Sequence, residues 1–192
     1  MLLVEQLFRI GGHCVHTGTI PSKTLREAVL YLSGWRQRGF YGRSYRVKER
    51  VTAEDLMQRL DITIRHEIEV LQHKLHRNYV TTMAGRASFD GPHRIRVQTE
   101  DDDEKVVHGE VILIATGSRP LRPADVPFDG ISIVDSDEIL RMQDLPRNLV
   151  VVGAGVIGME YASIFNALDI HVTVVDGRDE IMGFLDREIV DE

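Results

Sequence analysis

Cysteine is nearly missing from this chain: Cys14 is the only one in 192 residues. No disulfide can form within it, which excludes a cross-linked secreted scaffold and suits a reducing cytoplasm. Long apolar runs are missing too, and none approaches the ~20 residues that span a bilayer. The start, Met1-Leu2-Leu3-Val4-Glu5, has neither the basic opening nor the long apolar stretch of a secretion signal. No membrane partner is expected. Positive charge is short: Lys and Arg number 23 against 30 Asp and Glu, a net −7 that argues against nucleic acid as a partner. Arg36, Arg38, Arg43, Arg46, Lys48 and Arg50 do cluster, but Glu49 and Glu54 interrupt or border them, so the cluster reads as a solvated linker. His66, His73 and His76 have helical spacings, yet no Cys, Asp or Glu completes a coordination set, and no metal site is expected. No internal repeat is visible. What is present, 43% apolar and 28% charged residues, is the composition of a soluble globular protein with one large or two small domains.

Periodicity divides the chain. Residues 2–4 read as the end of a buried strand closed by Glu5. Residues 21–35 read as a helix, with Pro21 suited to its first position and Leu25, Val29 and Leu32 at helical spacing. A polar linker, 39–51, follows. Thr52 is placed to cap a long helix over 53–77, whose Leu56, Leu60, Ile64, Ile68, Leu71 and Leu75 form one stripe. Then the period changes to that of strands, at 79–84, 94–99, 105–108 and 111–115, with the acidic tract 101–104 as a hairpin turn. Pro120, Pro123 and Pro127 mark an extended connection. Residues 149–152, 156–168 and 171–175 read as a β-α-β unit.

That unit carries the clearest chemistry. Gly153-Ala154-Gly155-Val156-Ile157-Gly158 follows an apolar strand, opens a helix, and is answered by Asp176 at the end of the next strand. The glycines allow a tight turn, approach of backbone to a pyrophosphate, and close helix–strand packing; the helix N-terminus offers N–H donors to phosphate. Asp176 suits a ribose 2′-hydroxyl and so NAD, whereas Arg178, two residues on, suits the 2′-phosphate of NADP or is an ordinary surface charge. Glu160 sits on the first turns of the same helix among apolar neighbours, where a carboxylate without a partner is costly. His13, His16, Thr17 and Ser22 have no nucleophile-elbow context and do not make a hydrolase triad.

The run Gly11-Gly12-His13-Cys14-Val15-His16-Thr17-Gly18-Thr19-Ile20-Pro21-Ser22-Lys23 resembles the redox-active segment of the flavin-dependent pyridine nucleotide–disulfide oxidoreductases, which include dihydrolipoamide and glutathione reductases. That family has a second cysteine where this chain has Thr19. The replacement resembles the transhydrogenase branch of the family, as do Val134-Asp135-Ser136-Asp137-Glu138-Ile139-Leu140, Tyr161-Ala162-Ser163-Ile164-Phe165, Arg178-Asp179-Glu180 and Phe184-Leu185-Asp186. The resemblance implies an α/β fold of Rossmann-like FAD- and NAD(P)-binding domains (three-layer ββα), both incomplete here, with 1–145 belonging to the FAD domain and 146–192 opening the NAD(P) domain. It implies an FAD enzyme, an Si-specific NAD(P)+ transhydrogenase, that passes hydride equivalents between NADPH and NAD+, with NAD and NADP as substrates, in a cytoplasmic homo-oligomer. By the same resemblance Cys14, Lys23 and Glu160 are catalytic, Lys23 lying by the flavin N5 and pairing with Glu160 across the two domains. Cofactor contacts are implied for Glu5, Gln6, Leu7, Phe8, Arg9, Ile10, Gly11, Gly12, His13, Cys14, Thr19 and Lys23. They extend to Gly85, Ala87, Thr116 and Gly117, and then to Gly153, Gly155, Val156, Ile157, Gly158, Glu160, Asp176 and Arg178. The Ala115–Pro120 run is expected to end a buried strand beside the FAD.

The family opens with a strand and glycine-rich turn that grips the FAD pyrophosphate, and residues 148–192 number only 45, few for burying a doubly wound sheet. An internal fragment with exposed strand edges and poor solubility is therefore expected. Two other readings stay open: a lipoamide-type reductase that has lost its resolving cysteine, and an inactive nucleotide-binding fragment.

Overall fold

The computed structural model describes residues 1–7, 9–179 and 181–191, without the side chain of residue 191. It is a mixed α/β chain that divides into two compact units. One comprises Met1–Ile20 and Thr63–Leu121, the other Pro21–Ile62 and Arg122–Glu192.

In the first unit, strand β1 (Leu2–Glu5) is followed by a short helix α1 (Gly12–His16) that begins at the left-handed Gly11. Helix α2 (Thr19–Leu32), which belongs to the second unit from Pro21 on, starts two residues before Pro21, and the first turn tolerates proline because an N–H there needs no partner. The second long helix, α4 (Ala53–Arg77), belongs to the second unit as far as Ile62 and to the first from Thr63. It follows the short α3 (Arg38–Tyr41) of the second unit, which lies partly inside the expected linker. The start of α4 is a reciprocal cap. The Asp55 N–H donates to Thr52 Oγ1 at 3.3 Å, and the Thr52 N–H donates to Asp55 Oδ2 at 2.9 Å. Lys48 Nζ donates to both Asp55 oxygens at 2.6 and 2.7 Å, and these bonds lead in holding that carboxyl down to about 2. Acids open α4 and Lys74, His76 and Arg77 close it, in accord with the helix dipole.

Four strands follow. β2 (Thr81–Ala84) pairs parallel with β1, Glu5 opposite Ala84. β3 (Arg86–Gly91), β4 (Arg94–Gln98) and β5 (Glu104–His108) form an antiparallel meander over the buried Val97. β3 is not among the expected strands, although Ala87 and Phe89 alternate there with Arg86, Ser88 and Asp90. The acidic tract closes the β4–β5 hairpin, with the Thr99 N–H donating to the Asp103 carbonyl at 2.9 Å.

The expected strand at 111–115 is not formed: residues 109–123 are irregular apart from a bend at 110–111, and Val111 and Leu113 are 90% and 87% exposed. A strand needs a neighbour for its backbone N–H and C=O groups, and among the described residues no strand lies alongside this one. The 115–120 run therefore does not end a buried strand.

In the second unit β6 (Asn148–Val152), helix α5 (Val156–Asn166) and β7 (His171–Val175) form the β-α-β unit, the strands parallel and in register from Asn148–His171 to Val152–Val175. A last short helix, α6 (Arg187–Asp191), ends the described chain. The core joins Leu25 and Val29 of α2, Leu56 and Leu60 of α4, and Tyr161, Ile164 and Phe165 of α5, with Leu140, Ala167 and Ile170. The basic cluster lies on a mostly exposed, largely irregular segment, but part of it is held in place: Arg38 and Arg46 both bond Asp169 in the α5–β7 turn, Arg36 bonds Glu27 of α2, and Lys48 holds Asp55 of α4. The two Asp169 pairs fasten the segment after α2 to the β-α-β unit.

Candidate functional site

The turn between β6 and α5 is shaped by two glycines. Gly153 has φ +107, a left-handed conformation that side chains resist, and its N–H donates to the Val175 carbonyl at 2.7 Å, extending the β6–β7 ladder. A Cβ on Gly158 would collide with the Gly153 carbonyl oxygen, so only glycine lets α5 cross this close to the turn. Gly155 is the helix N-cap, and a Cβ there would meet nothing within 4 Å. The open space over Gly155, flanked by the exposed Val156 and Ile157 at the start of α5, fits the pyrophosphate of a dinucleotide.

Asp176 stands at the end of β7 and reaches this turn. Its Oδ2 accepts the Ala154 N–H at 2.6 Å and an Arg178 Nη2–H at 2.8 Å; its Oδ1 accepts the Arg178 N–H and Nε–H, both at 2.9 Å. The Arg178 guanidinium, followed by these backbone donors, holds the Asp176 carboxyl far below the usual carboxylate range. Arg178 is itself largely exposed, whereas the Asp176 side chain is 12% exposed.

Lys23, in the first turns of α2, meets Glu160 of α5: Nζ lies 2.5 Å from Oε1. The carboxylate is mostly shielded and the ammonium is largely open. Both residues lie in the same compact unit. Ser163 Oγ donates to the Glu160 carbonyl at 2.7 Å, within the helix.

The remaining candidates on β1, α1 and the meander lie in the other unit. The Gly85 N–H donates to the Glu5 carbonyl at 3.1 Å, so Glu5 and Gly85 stand side by side at the C-terminal ends of the parallel pair β1–β2, where α/β sheets hold nucleotides. This placement fits the adenosine half of FAD. The Glu5 carboxylate accepts the Leu7 N–H at 3.2 Å, folding the turn that holds Gln6 and Leu7. Phe8 lies outside the described residues. Arg9 is exposed, Ile10 accepts a His16 ring contact at its carbonyl (3.1 Å), and Gly11 and Gly12 both have positive φ. His13 Nδ1 and Thr17 Oγ1 are 2.8 Å apart. Cys14 is exposed on α1. Ala87 pairs with Val97 in the meander, and Thr116 and Gly117 lie on the exposed irregular run. Thr19 opens α2.

Sequence reasoning did not find the Ala154 N–H as the group that fixes Asp176, nor Asp169 as the anchor of two arginines. An aspartate between a helix and a strand is a common turn residue, and nothing local marks its distant partners. Among the described residues no cluster of His, Cys, Asp and Glu could hold a metal ion, and no helix is long and apolar enough to cross a membrane.

The sequence profile of the family described as pyridine nucleotide-disulphide oxidoreductase matches residues 1–192. The chain is 52% identical over 190 residues to the soluble pyridine nucleotide transhydrogenase of Mycobacterium bovis (strain BCG / Pasteur 1173P2), covering 98% of this chain and 41% of that relative. Its fold is like that of LpdA from Mycobacterium tuberculosis, with a TM-score of 0.86 at 24% identity over 98% of this chain and 41% of that one. The HOCl-induced flavoprotein disulfide reductase RclA from Escherichia coli is similar at a TM-score of 0.77 and 27% identity, over 99% of this chain and 39% of that one. The chain thus spans about two-fifths of the length of the curated relative it matches.

Proposed function

This chain belongs to the pyridine nucleotide-disulphide oxidoreductase family, and we propose that it serves in a flavoprotein that passes hydride equivalents from NADPH to NAD+, yielding NADP+ and NADH. The observation that carries this reading is the single thiol. With Thr19 five residues after Cys14, the dithiol of the Cys14 segment is not formed, which supports a second dinucleotide as the exit for the electrons. The likeness to a transhydrogenase across nearly all of this chain supports the same reading.

FAD, when bound, supplies a carrier that takes two electrons from one nucleotide and returns them to another. The chain's own residues bind and orient. The Gly153–Gly158 turn and the start of α5 hold the nucleotide pyrophosphate, and Asp176 with Arg178 meets the adenosine ribose. Glu160 keeps the Lys23 ammonium in one place, where its charge favours the negative charge gained on reduction. Cys14, exposed on α1, takes the position of the family's first cysteine. Glu5 with Gln6, Leu7 and the turn to Gly12, together with Gly85 and Ala87, serves the adenosine side of FAD, and Thr116 and Gly117 its far end. By ligand, residues 1–145 serve FAD and 146–192 serve NAD(P), a division that differs in kind from the two packing units. The Si-specific class of transhydrogenase, a cytoplasmic setting and a homo-oligomer complete the proposal.

The test uses the full-length protein. NADPH-dependent formation of NADH from NAD+ is measured beside NADPH-dependent reduction of lipoamide and of glutathione disulfide. Nucleotide-to-nucleotide transfer should dominate. Disulfide reduction that outruns it in the unsubstituted protein overturns the reading and favours the lipoamide-type alternative.

A further inference from the structure

The Asp176 carboxylate is saturated. A carboxylate offers about four acceptor directions, and four donors occupy them: the Ala154 N–H, the Arg178 N–H, and the Arg178 Nε–H and Nη2–H. A ribose hydroxyl has no acceptor left on this acid while the guanidinium is in place. Two of the four donors are backbone groups fixed by the glycine turn and by the chain after β7. The other two belong to a side chain that is 63% exposed and free to turn about its own torsions. The mobile half of this arrangement is Arg178.

We propose that Arg178 is a two-position specificity arm. Folded onto Asp176 it stands in for the ribose hydroxyls of an absent nucleotide; it yields the carboxylate when NAD enters and turns onto the 2′-phosphate when NADP enters. The inference rests on the nucleotide-binding reading above and adds to it a reason why one site serves both substrates. NAD exchanges the guanidinium fork for hydroxyl donors on the same carboxylate. NADP brings a 2′-phosphate that Asp176 alone would repel, but the fork is planar, carries its charge at all working pH values, and matches phosphate oxygens. Meanwhile the two backbone donors stay on Asp176 and keep its charge satisfied. Both nucleotides therefore break the same ion pair, whose cationic half is exposed, and neither gains a large advantage over the other.

The experiment uses the full-length protein and two redox-inert probes, 5′-ADP with a free 2′-hydroxyl and adenosine 2′,5′-bisphosphate. Calorimetric affinities are compared for the unsubstituted protein, Arg178→Ala, Arg178→Lys and Asp176→Asn. Arg178→Ala should weaken the bisphosphate about tenfold or more and tighten 5′-ADP about two- to fivefold, as expected from losing a charge-assisted fork. Asp176→Asn should shift both in the opposite sense, and Arg178→Lys should recover part of the bisphosphate affinity. In turnover these changes should fall on KM for the matching nucleotide. A folding defect lowers both affinities together, so shifts of common sign, or none, overturn the arm. If the probes shift in opposite directions but the unsubstituted protein moves no hydride from NADPH to NAD+, the arm stands and the transhydrogenase reading fails.

Discussion

Two parallel strand pairs in this chain each end in an acid, and the two acids do different things. Asp176 ends β7 and reaches across to the turn that follows β6, where the Ala154 N–H and Arg178 fix it. Glu5 ends β1, beside Gly85 of the strand next to it, but its carboxylate turns onto its own chain at the Leu7 N–H. The β6–β7 pair is backed by α5 through the fully buried Phe165, whereas every residue of β1 is only half-buried. The difference lies in what each acid is brought to: Asp176 reaches the glycine turn of the neighbouring strand, and Glu5 reaches only the chain that follows its own strand. Chemistry of the side chain alone does not decide it.

The sharpest break in that comparison is at the packing. Phe165→Ala, at a residue 1% exposed, should cost about 3–5 kcal/mol, while Val4→Ala on β1 should cost about 1 kcal/mol; urea unfolding of both variants measures the gap. Next comes the turn. Gly158→Ala forces a methyl group against the Gly153 carbonyl and should cost about 2–3 kcal/mol, whereas Gly155→Ala meets no atom and should stay within about 1 kcal/mol. Thermal unfolding separates the two, and NADH titration should show that Gly155→Ala still weakens binding, since its methyl group enters the pyrophosphate space.

Among ligand effects, Glu5→Gln should lower the FAD retained on purification, and Asp176→Asn should weaken NADH about tenfold, or ~1.4 kcal/mol. A result in which each substitution affects both ligands alike would erase the distinction between the two strand pairs. The smallest effect lies outside both. Thr52→Ala should cost about 1 kcal/mol by removing the α4 cap. Asp55, whose carboxyl is held down to about 2, stabilises the fold above its ordinary value near 4. That contribution is lost as pH falls toward 2, and Asp55→Asn should flatten this part of the acid-unfolding curve.

Legibility from sequence followed the range of the forces involved. The β-α-β unit was readable because a strand, three glycines, a helix and an acid occur in one continuous stretch whose contacts are local. The long helix is legible because Thr52 is a capping residue directly before it and its apolar stripe repeats at 3.6 residues; the Asp55 half of the cap comes from the structure. The run at 111–115 was misread because apolar composition favours a strand, while forming one depends on a neighbour the sequence of that run does not specify. β3 is absent from the expected strands although Ala87 and Phe89 alternate with Arg86, Ser88 and Asp90: the pattern is short, one of its two apolar residues is only an alanine, and pairing with β4 completes the strand. The Lys23–Glu160 contact spans 137 positions, beyond any local pattern, and only family resemblance suggested it. Saturation of Asp176 is a matter of hydrogen-bond geometry, to which residue order gives no access.

The claim that reducing power leaves through a second dinucleotide is tested most directly by two half-reactions of the full-length holoprotein. The protein is reduced anaerobically with NADPH, freed of nucleotide, and divided between NAD+ and lipoamide. Stoichiometric NADH and full recovery of the oxidised flavin spectrum with NAD+, with no comparable recovery from lipoamide, is the result expected where Thr19 stands five residues after Cys14. Recovery from lipoamide with none from NAD+ would contradict it.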